Sequence, residues 1–352
     1  MKKAIIAMSG GVDSAVSAYL CKKQGYECIG ATMKLFIKDE TETEKTCCSL
    51  KDVEDARQVS YRLGMEHYVF NFTGEFEDKV IKKFINSYEI GATPNPCIDC
   101  NRYLKFEKLY RRMKELEFDY IVTGHYARIE KCGDRFLLKK AVDETKDQSY
   151  VLYSLTQEQL AHTLFPLGEY TKLNVREIAE ENGFVNARKH DSQDICFVPD
   201  GDYAAFIEEY SGKKYPFGNF VDKTGKILGE HKGIIRYTIG QRKGLGLSLP
   251  APMYVCSKDI EKNQVVLCSN EELFSKKLDA FDFNWIAFEN PPECFCAKVR
   301  IRYNQKEEPA RIYVTGPDTV HIEFEKPQRA IAKGQAVVVY DGETVVGGGT
   351  IK

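Results

Sequence analysis

The stretch AIIAMSGGVDSAVSAYL, residues 4–20, decides how the rest of the chain is read. Ala4 to Met8 is a short apolar run, the pattern of a strand buried on both faces. Ala15, Val16, Ala18, Tyr19 and Leu20 predict a helix packed on that sheet. Ser9, Gly10, Gly11, Val12, Asp13 and Ser14 form the turn between them. Glycines let a backbone approach a ligand closely, and a helix N-terminus presents free N–H groups and partial positive charge. The turn therefore reads as an anion cradle, most naturally for phosphate. It is not a Walker A loop, because no Gly-Lys-Ser/Thr follows. Without that lysine on the terminal phosphates, release of pyrophosphate is a better expectation than γ-phosphoryl transfer. Asp13 is then a candidate Mg²⁺ ligand. The ordinary alternative is a strand–helix turn capped by Asp13 or Ser14.

Working outward, strand signals recur at 4–8, 27–33, 67–72 and 119–123, with helical stretches at 13–24, 51–63, 75–90 and 101–117. This alternation predicts a parallel sheet wrapped by helices, with ligands beyond the carboxyl ends of its strands. After about residue 205 glycines punctuate short β-like runs, among them KGIIRYTIGQ, CAKVRIRY and QAVVVYDGE, and helical periodicity almost vanishes. The expectation is an α/β chain in three parts: a nucleotide-binding parallel-sheet domain over 1–204, a small mixed domain over 205–272 and a β-barrel over 273–352.

A chain of 352 residues that is 43% hydrophobic has material for more than one core. Its net charge of −2 announces no polyanion partner, so any nucleic acid would be met by local basic patches. The start imitates an export signal, but Gly10, Gly11 and Asp13 interrupt its apolar run, and no apolar run is long enough for a membrane span. Twelve cysteines in a chain without an export signal are expected to be reduced thiols in a cytoplasmic, monomeric protein, some of them chemical. Cys294 and Cys296 sit in a strand-like run and read as packing residues. Cys47 and Cys48 fall in an acidic loop and read as having no catalytic part.

Two further strings carry chemistry. In TPNPCIDCNRYLKF, residues 93–106, the prolines fix an extended loop and Asn101 reads as an N-cap. Cys100 then stands just before a helix start, where the macrodipole favours a thiolate. The helix is net basic through Arg102, Lys105, Lys108, Arg111, Arg112 and Lys114, which suits a phosphate backbone. A zinc half-site at Cys97 and Cys100 lacks a second Cys-x-x-Cys, and a plain solvated basic helix is the default. In HDSQDICF, residues 190–197, polar neighbours put Cys196 in a loop where thiol chemistry is reasonable. An ATP-cleaving loop with two such thiols suggests activation of a carbonyl oxygen as an adenylate, followed by displacement of AMP by sulfur.

The string AMSGGVDS (7–14) resembles the signature of the PP-loop ATP pyrophosphatases. Together with NPCIDCNRYLKF (95–106), TGHYAR (123–128), KDQSYVLY (146–153), DSQDICF (191–197), YTIGQRKGLG (237–246), RIRY (300–303) and GQAVVVY (334–340), it makes the chain similar to the tRNA-specific 2-thiouridylase (MnmA) family over nearly its full length. The resemblance implies 2-thiolation of the wobble uridine in lysine, glutamate and glutamine tRNAs. It implies that Ala7, Met8, Ser9, Gly10, Gly11, Val12, Asp13, Ser14, Met33 and Gly124 bind ATP, accompanied by Mg²⁺. Cys196 would carry a persulfide from a cysteine desulfurase or sulfur-carrier protein. Cys100 would resolve it, leaving a Cys100–Cys196 disulfide. Asn95, Pro96 and Cys97 would lie against the target base. His125, Lys146, Asp147, Gln148, Arg302, Tyr303 and Gln335 match tRNA-contacting positions; Lys146 and Arg302 suit phosphate, and Tyr303 suits stacking. Many relatives carry Asp where this chain has Cys97, which leaves Asp99 as the acid/base candidate. The extra thiol opens a minority alternative, a [4Fe–4S] cluster on Cys97, Cys100 and Cys196. A ligase acting on a small metabolite and an inactive RNA-binding protein are the competing functions.

Overall fold

The computed structural model describes residues 1–36, 49–189, 195–198 and 200–352. Cys47, Cys48 and residues 190–194 lie outside the described residues. The four expected strands form, as β1 (Lys3–Ala7), β2 (Glu27–Lys34), β3 (His67–Asn71) and β4 (Tyr120–Val122). A hairpin follows, β5 (Ala127–Cys132) and β6 (Arg135–Lys140), and then a two-residue strand, β7 (Thr163–Leu164). Strands β3-β2-β1-β4-β7 make one sheet, and every pairing in it is parallel. Ile5 and Ile6 are fully buried, which is why β1 reads as an uninterrupted apolar run. Helices α1 (Val12–Lys23) and α2 (Leu50–Arg62) follow β1 and β2. A capping box closes the start of α2, with Ser49 and Asp52 each accepting from the other's main chain.

The helix Tyr203–Ser211 departs from the expected loss of helicity after residue 205; Asp202 caps it by accepting from the Ala205 amide at 2.9 Å. Beyond it β8 (Gly218–Asp222), β9 (Ile227–His231), β10 (Tyr254–Asp259) and β11 (Gln264–Cys268) form a sheet ordered β10-β11-β8-β9. The last strands are β12 (Phe274–Trp285), β13 (Cys294–Arg300), β14 (Glu308–Gly316), β15 (Thr319–Arg329), β16 (Ala336–Asp341) and β17 (Thr344–Ile351). They run β12-β15-β14-β13-β16-β17, and β12 pairs again with β17, so the antiparallel sheet closes into a barrel. Gly347, Gly348 and Gly349 let β17 pass close to Phe283, Asn284 and Tyr153, where a Cβ would meet atoms at 2.4–2.8 Å.

Two sequence expectations change here. The β5–β6 hairpin, within 1–204, joins the barrel sheet through Lys139 and Thr344. Cys294 and Cys296 are exposed on β13 rather than packed. No helix among the described residues is long and apolar enough to cross a membrane.

Candidate active site

The expected cradle forms at the carboxyl end of β1. Gly11 is the N-cap of α1, and no side chain caps that helix, so its first amides are left for a ligand; this overturns the alternative of a turn capped by Asp13 or Ser14. Ser14 turns inward instead: its hydroxyl donates to the Gly11 carbonyl at 2.9 Å and accepts from the Ser9 amide at 3.2 Å. Gly10 is needed twice over. Its φ is +73°, and a Cβ would stand 2.4 Å from the Asp52 carbonyl oxygen. Gly124 lies against the start of α1, where a Cβ would meet the Ser14 nitrogen and the Asp13 carbonyl carbon at 2.9 Å. Ala7, Met8, Val12 and Met33 are buried and form the floor.

Asp13, the expected metal ligand, is hydrogen-bonded within the protein. Both its oxygens accept from Lys172 Nζ, at 2.8 and 2.9 Å, and one accepts from the Tyr126 hydroxyl at 2.8 Å. A second lysine braces the loop from outside. Lys189 Nζ donates to the Gly10 carbonyl and to Asp52 and Asp55, at 3.1, 2.6 and 2.7 Å, while Asn186 Nδ2 donates to the same carbonyl at 3.1 Å. These partners are over a hundred residues from the loop in sequence, and no spacing in the chain announces them.

The cysteine-bearing helix starts earlier than the sequence suggests. Asn95, not Asn101, is its N-cap, accepting from the Cys97 amide at 3.2 Å, and Pro96 takes the first helical position. Proline fits there because that position has no hydrogen bond to lose. The helix runs as Pro96–Asp99, widens to π geometry over Cys100–Lys108 and tightens again over Leu109–Glu115. Cys100 therefore sits inside the helix, and the macrodipole argument applies to Cys97, which is exposed at the N-terminus. π segments recur at functional sites because they shift side chains off the α-helical register. Asn101 is buried and donates to the Val151 carbonyl at 3.1 Å.

Asp99 is buried, and that desolvation pushes its carboxyl above the ordinary carboxylate range; Lys83 at 2.6 Å and Arg102 pull the other way. Arg102 forks onto Asp282 of the barrel. Cys100 and Cys196 both pack against one apolar cluster, which also contains Ala7, Met33 and Phe197. Phe197, the residue after Cys196, packs against Phe84 and Phe76 with ring centroids at 5.2 and 5.6 Å. The fold thus brings both thiol-bearing segments and the nucleotide floor to one core.

The residues expected to meet RNA form a second surface beside the target loop. Gln335 Nε2 donates to the Thr93 carbonyl at 2.7 Å, the Thr93 amide donates to the Lys333 carbonyl at 2.8 Å, and a Cβ on Gly334 would meet Ala92 Cβ at 2.9 Å. The barrel thereby hooks the loop that leads to Asn95, Pro96 and Cys97. Tyr303 is exposed at its edge, donates to the Asp147 carbonyl at 3.2 Å and packs edge-on to Tyr150; partial burial, then the Asp147 charge and the nearby Cys97 thiol, raise its phenol pKa. Lys146 and Gln148 are half-buried at the same turn. Asp147 is buried, its carboxylate accepting from Ala141, Ser149 and Arg300. His125 is also internal: it lies between Phe106 and Phe165, shares a 2.7 Å hydrogen bond with Thr123, and burial holds its pKa well below 6.5.

Among the described residues no group of three or more His, Cys, Asp or Glu is gathered to hold a metal ion.

The family described as "tRNA methyl transferase HUP domain" matches residues 2–200, a "tRNA methyl transferase PRC-barrel domain" matches 204–269, and an "Aminomethyltransferase beta-barrel domain" matches 275–351. A tRNA-specific 2-thiouridylase MnmA of Clostridium acetobutylicum is 53% identical over 353 residues, covering 100% of this chain and 99% of that protein. The protein of the same name from Clostridioides difficile is 52% identical over 354 residues, with 100% and 98% covered, and that of Halothermothrix orenii is 50% identical over 356 residues, with 100% and 99% covered. With a glycine loop at the end of β1, two cysteines on one core and full-length likeness to these proteins, the chain belongs to the MnmA family of tRNA-specific 2-thiouridylases.

Proposed function

We propose that this chain is a tRNA-uridine 2-sulfurtransferase that consumes ATP. The observation that carries the reading is the shared core: Ala7 and Met33 of the nucleotide floor border the same apolar cluster as Cys100 and Cys196. An activated oxygen and a sulfur nucleophile can meet there. ATP adenylates O2 of the wobble uridine in lysine, glutamate and glutamine tRNAs and releases diphosphate. Cys196 carries a sulfur delivered by a cysteine desulfurase or a sulfur-carrier protein. That terminal sulfur attacks C2, and AMP leaves with the oxygen. Cys100 then attacks the Cys196 sulfur; the S–S bond breaks, 2-thiouridine is released, and a Cys100–Cys196 disulfide remains for an external dithiol to reduce.

The uncapped amides of α1 and the backbone of Ser9–Ser14 hold the phosphates, with Gly124 keeping the neighbouring loop tight on them. With Asp13 committed to Lys172, Mg²⁺ is bound through phosphate oxygens and water rather than a protein cage. Asn95, Pro96 and Cys97 face the base, while Lys146, Gln148, Arg302, Tyr303 and Gln335 face the tRNA. Asp99, held protonated more readily than a free carboxylate, acts as the proton donor or acceptor. The test is incubation of the protein with ATP, Mg²⁺, a compatible sulfur donor, a dithiol and unmodified lysine tRNA. Exchange of one oxygen for sulfur at the wobble uridine, read by nucleoside mass spectrometry, is the expected result; ATP cleavage with no sulfur gained by the RNA overturns the reading.

A further inference from the structure

Cys256 and Cys268 take no part in the chemistry above, and the fold sets them side by side. Strands β10 and β11 pair antiparallel, with Tyr254 opposite Cys268, Val255 opposite Leu267 and Ser257 opposite Val266. Cys256 is the extra residue at a bulge in that ladder, so its main chain is less tied by pairing than that of its neighbours. The two thiols lie within hydrogen-bonding reach of each other; burial first, and then this contact, push the Cys268 thiol up to about 12. Adjacent strands run about 4.8 Å apart, and a disulfide joins Cα atoms up to about 7 Å apart. Both cysteines are free thiols here.

Exposure divides the pair. Cys256 is half-buried, while Cys268 is 2% exposed. One sulfur is reached from solvent and the other stands behind it, the arrangement of an attacking and a resolving thiol. Lys223, paired with Glu272 at 2.9 Å, is a neighbouring cation whose charge draws the Cys268 pKa back down. Cys21 and Cys28 also feel each other, but both are buried, and neither is open to a reagent in solvent. Val255 and Leu267 belong to the apolar cluster that borders Cys100 and Cys196, whereas Cys256 and Cys268 lie outside it.

We propose that Cys256 and Cys268 form a second redox-active dithiol, separate from the sulfur-transfer pair, which a small external disulfide oxidises to a covalent clasp between β10 and β11. Cys256, as the thiolate, attacks one sulfur of the external disulfide; that S–S bond breaks and one half leaves as a thiolate. Cys268 then gives up its proton and attacks the Cys256 sulfur, expelling the other half. The protein loses two electrons and two protons, and the external disulfide gains them as two thiols. Nothing in this step needs ATP or RNA. Strand β10 is the end strand of its sheet, and Val255 donates to the Gln241 carbonyl at 3.0 Å and accepts from the Gly240 amide at 2.7 Å. The clasp therefore fixes an edge strand and, through Val255, the turn at 240–241.

The test exposes the reduced full-length protein to 2-hydroxyethyl disulfide, alkylates the remaining thiols after denaturation and maps tryptic peptides by mass spectrometry without reductant. Lys258 and Lys262 lie between the two cysteines, so trypsin parts Cys256 from Cys268 unless the sulfurs are bonded. The expected result is a joined peptide pair, lighter than the two free peptides by two hydrogens and separated by dithiothreitol. In Cys268→Ser the reagent is expected to remain on Cys256 as a mixed disulfide. In Cys256→Ser, Cys268 is expected to react at least about tenfold more slowly than Cys256 does in Cys268→Ser, as a buried thiol should. Recovery of Cys256 and Cys268 fully alkylated from the unaltered protein overturns the clasp. So does Cys256 joined to a different cysteine, a joined pair that forms only when the protein is exposed to the reagent in urea, or equal reactivity of the two thiols in the variants.

Discussion

The loop at residues 9–14 takes its turn from its own residues and is braced from outside by Lys172, Lys189 and Asn186. Ser14 bonds to Ser9 and Gly11, Gly10 adopts the positive φ that glycine permits, and Gly11 is the N-cap of α1. The thiol end is assembled instead. Cys97 and Cys100 come from one helix, Cys196 from a segment nearly a hundred residues later, and the loop before Cys97 is held by Lys333, Gly334 and Gln335 of the barrel. A phosphate site built on amides needs chiefly a strand and a helix meeting at the right turn. A site that moves sulfur onto a large RNA must let its parts approach and separate, so it draws them from different places.

If this contrast is right, single atoms matter most at the assembled end. Cys100→Ala and Cys196→Ala are each expected to lower thiolation by at least ~10³-fold, as loss of a nucleophile does, while tRNA binding persists by filter retention. Retained thiolation in either variant breaks the proposed relay. At the loop the expected damage is to folding and ATP binding together. Gly10→Ala meets the Asp52 carbonyl and needs a strained φ, and should cost about 2–3 kcal/mol, measured by denaturant unfolding and nucleotide titration. A neutral Gly10→Ala would mean that the loop relaxes freely.

A pH measurement sharpens the comparison further. The pKa of His125 is depressed in the folded protein. Its contribution to stability is therefore present above about 6.5 and is lost as pH falls below that value, by at most ~1.4 kcal/mol per unit. Unfolding free energy should fall between pH 7 and 5, and fall less steeply in His125→Gln; equal slopes would show that another group titrates. The smallest expected effect is at the hook. Gln335→Ala removes one hydrogen bond worth about 1 kcal/mol, and should lower kcat/KM for tRNA several-fold while leaving ATP affinity alone. A drop in ATP affinity of the same size would show that the two ends are coupled.

The same contrast explains what could be read from the sequence. The four parallel strands, the cradle and the barrel were legible because each depends on local pattern: apolar runs, a glycine turn, alternation broken by glycines. The N-cap was misplaced by six residues, because Asn101 and Asn95 offer the same side chain and the choice depends on Pro96 fitting the first helical position. Strand β7, of two residues, is too short to carry a periodicity. Lys172 and Lys189 could not be read as partners of the loop, since their bonds to Asp13, Gly10, Asp52 and Asp55 depend on how distant segments fold back. Likewise His125 and Asp147 look like surface polar residues in sequence, and only packing shows them to be internal.

The β5–β6 hairpin limits how far the three matched regions behave as separable units. Lys139 pairs with Thr344, Arg128 reaches Glu343, Arg135 donates to the Ile286 carbonyl, and Tyr150 donates to the Ala336 carbonyl. A polypeptide ending near residue 204 would strand these groups in water and leave an open β edge inviting self-association. Dissection by domain is thus the wrong way to divide the labour of this molecule; exchanging the barrel between relatives requires the hairpin to travel with it.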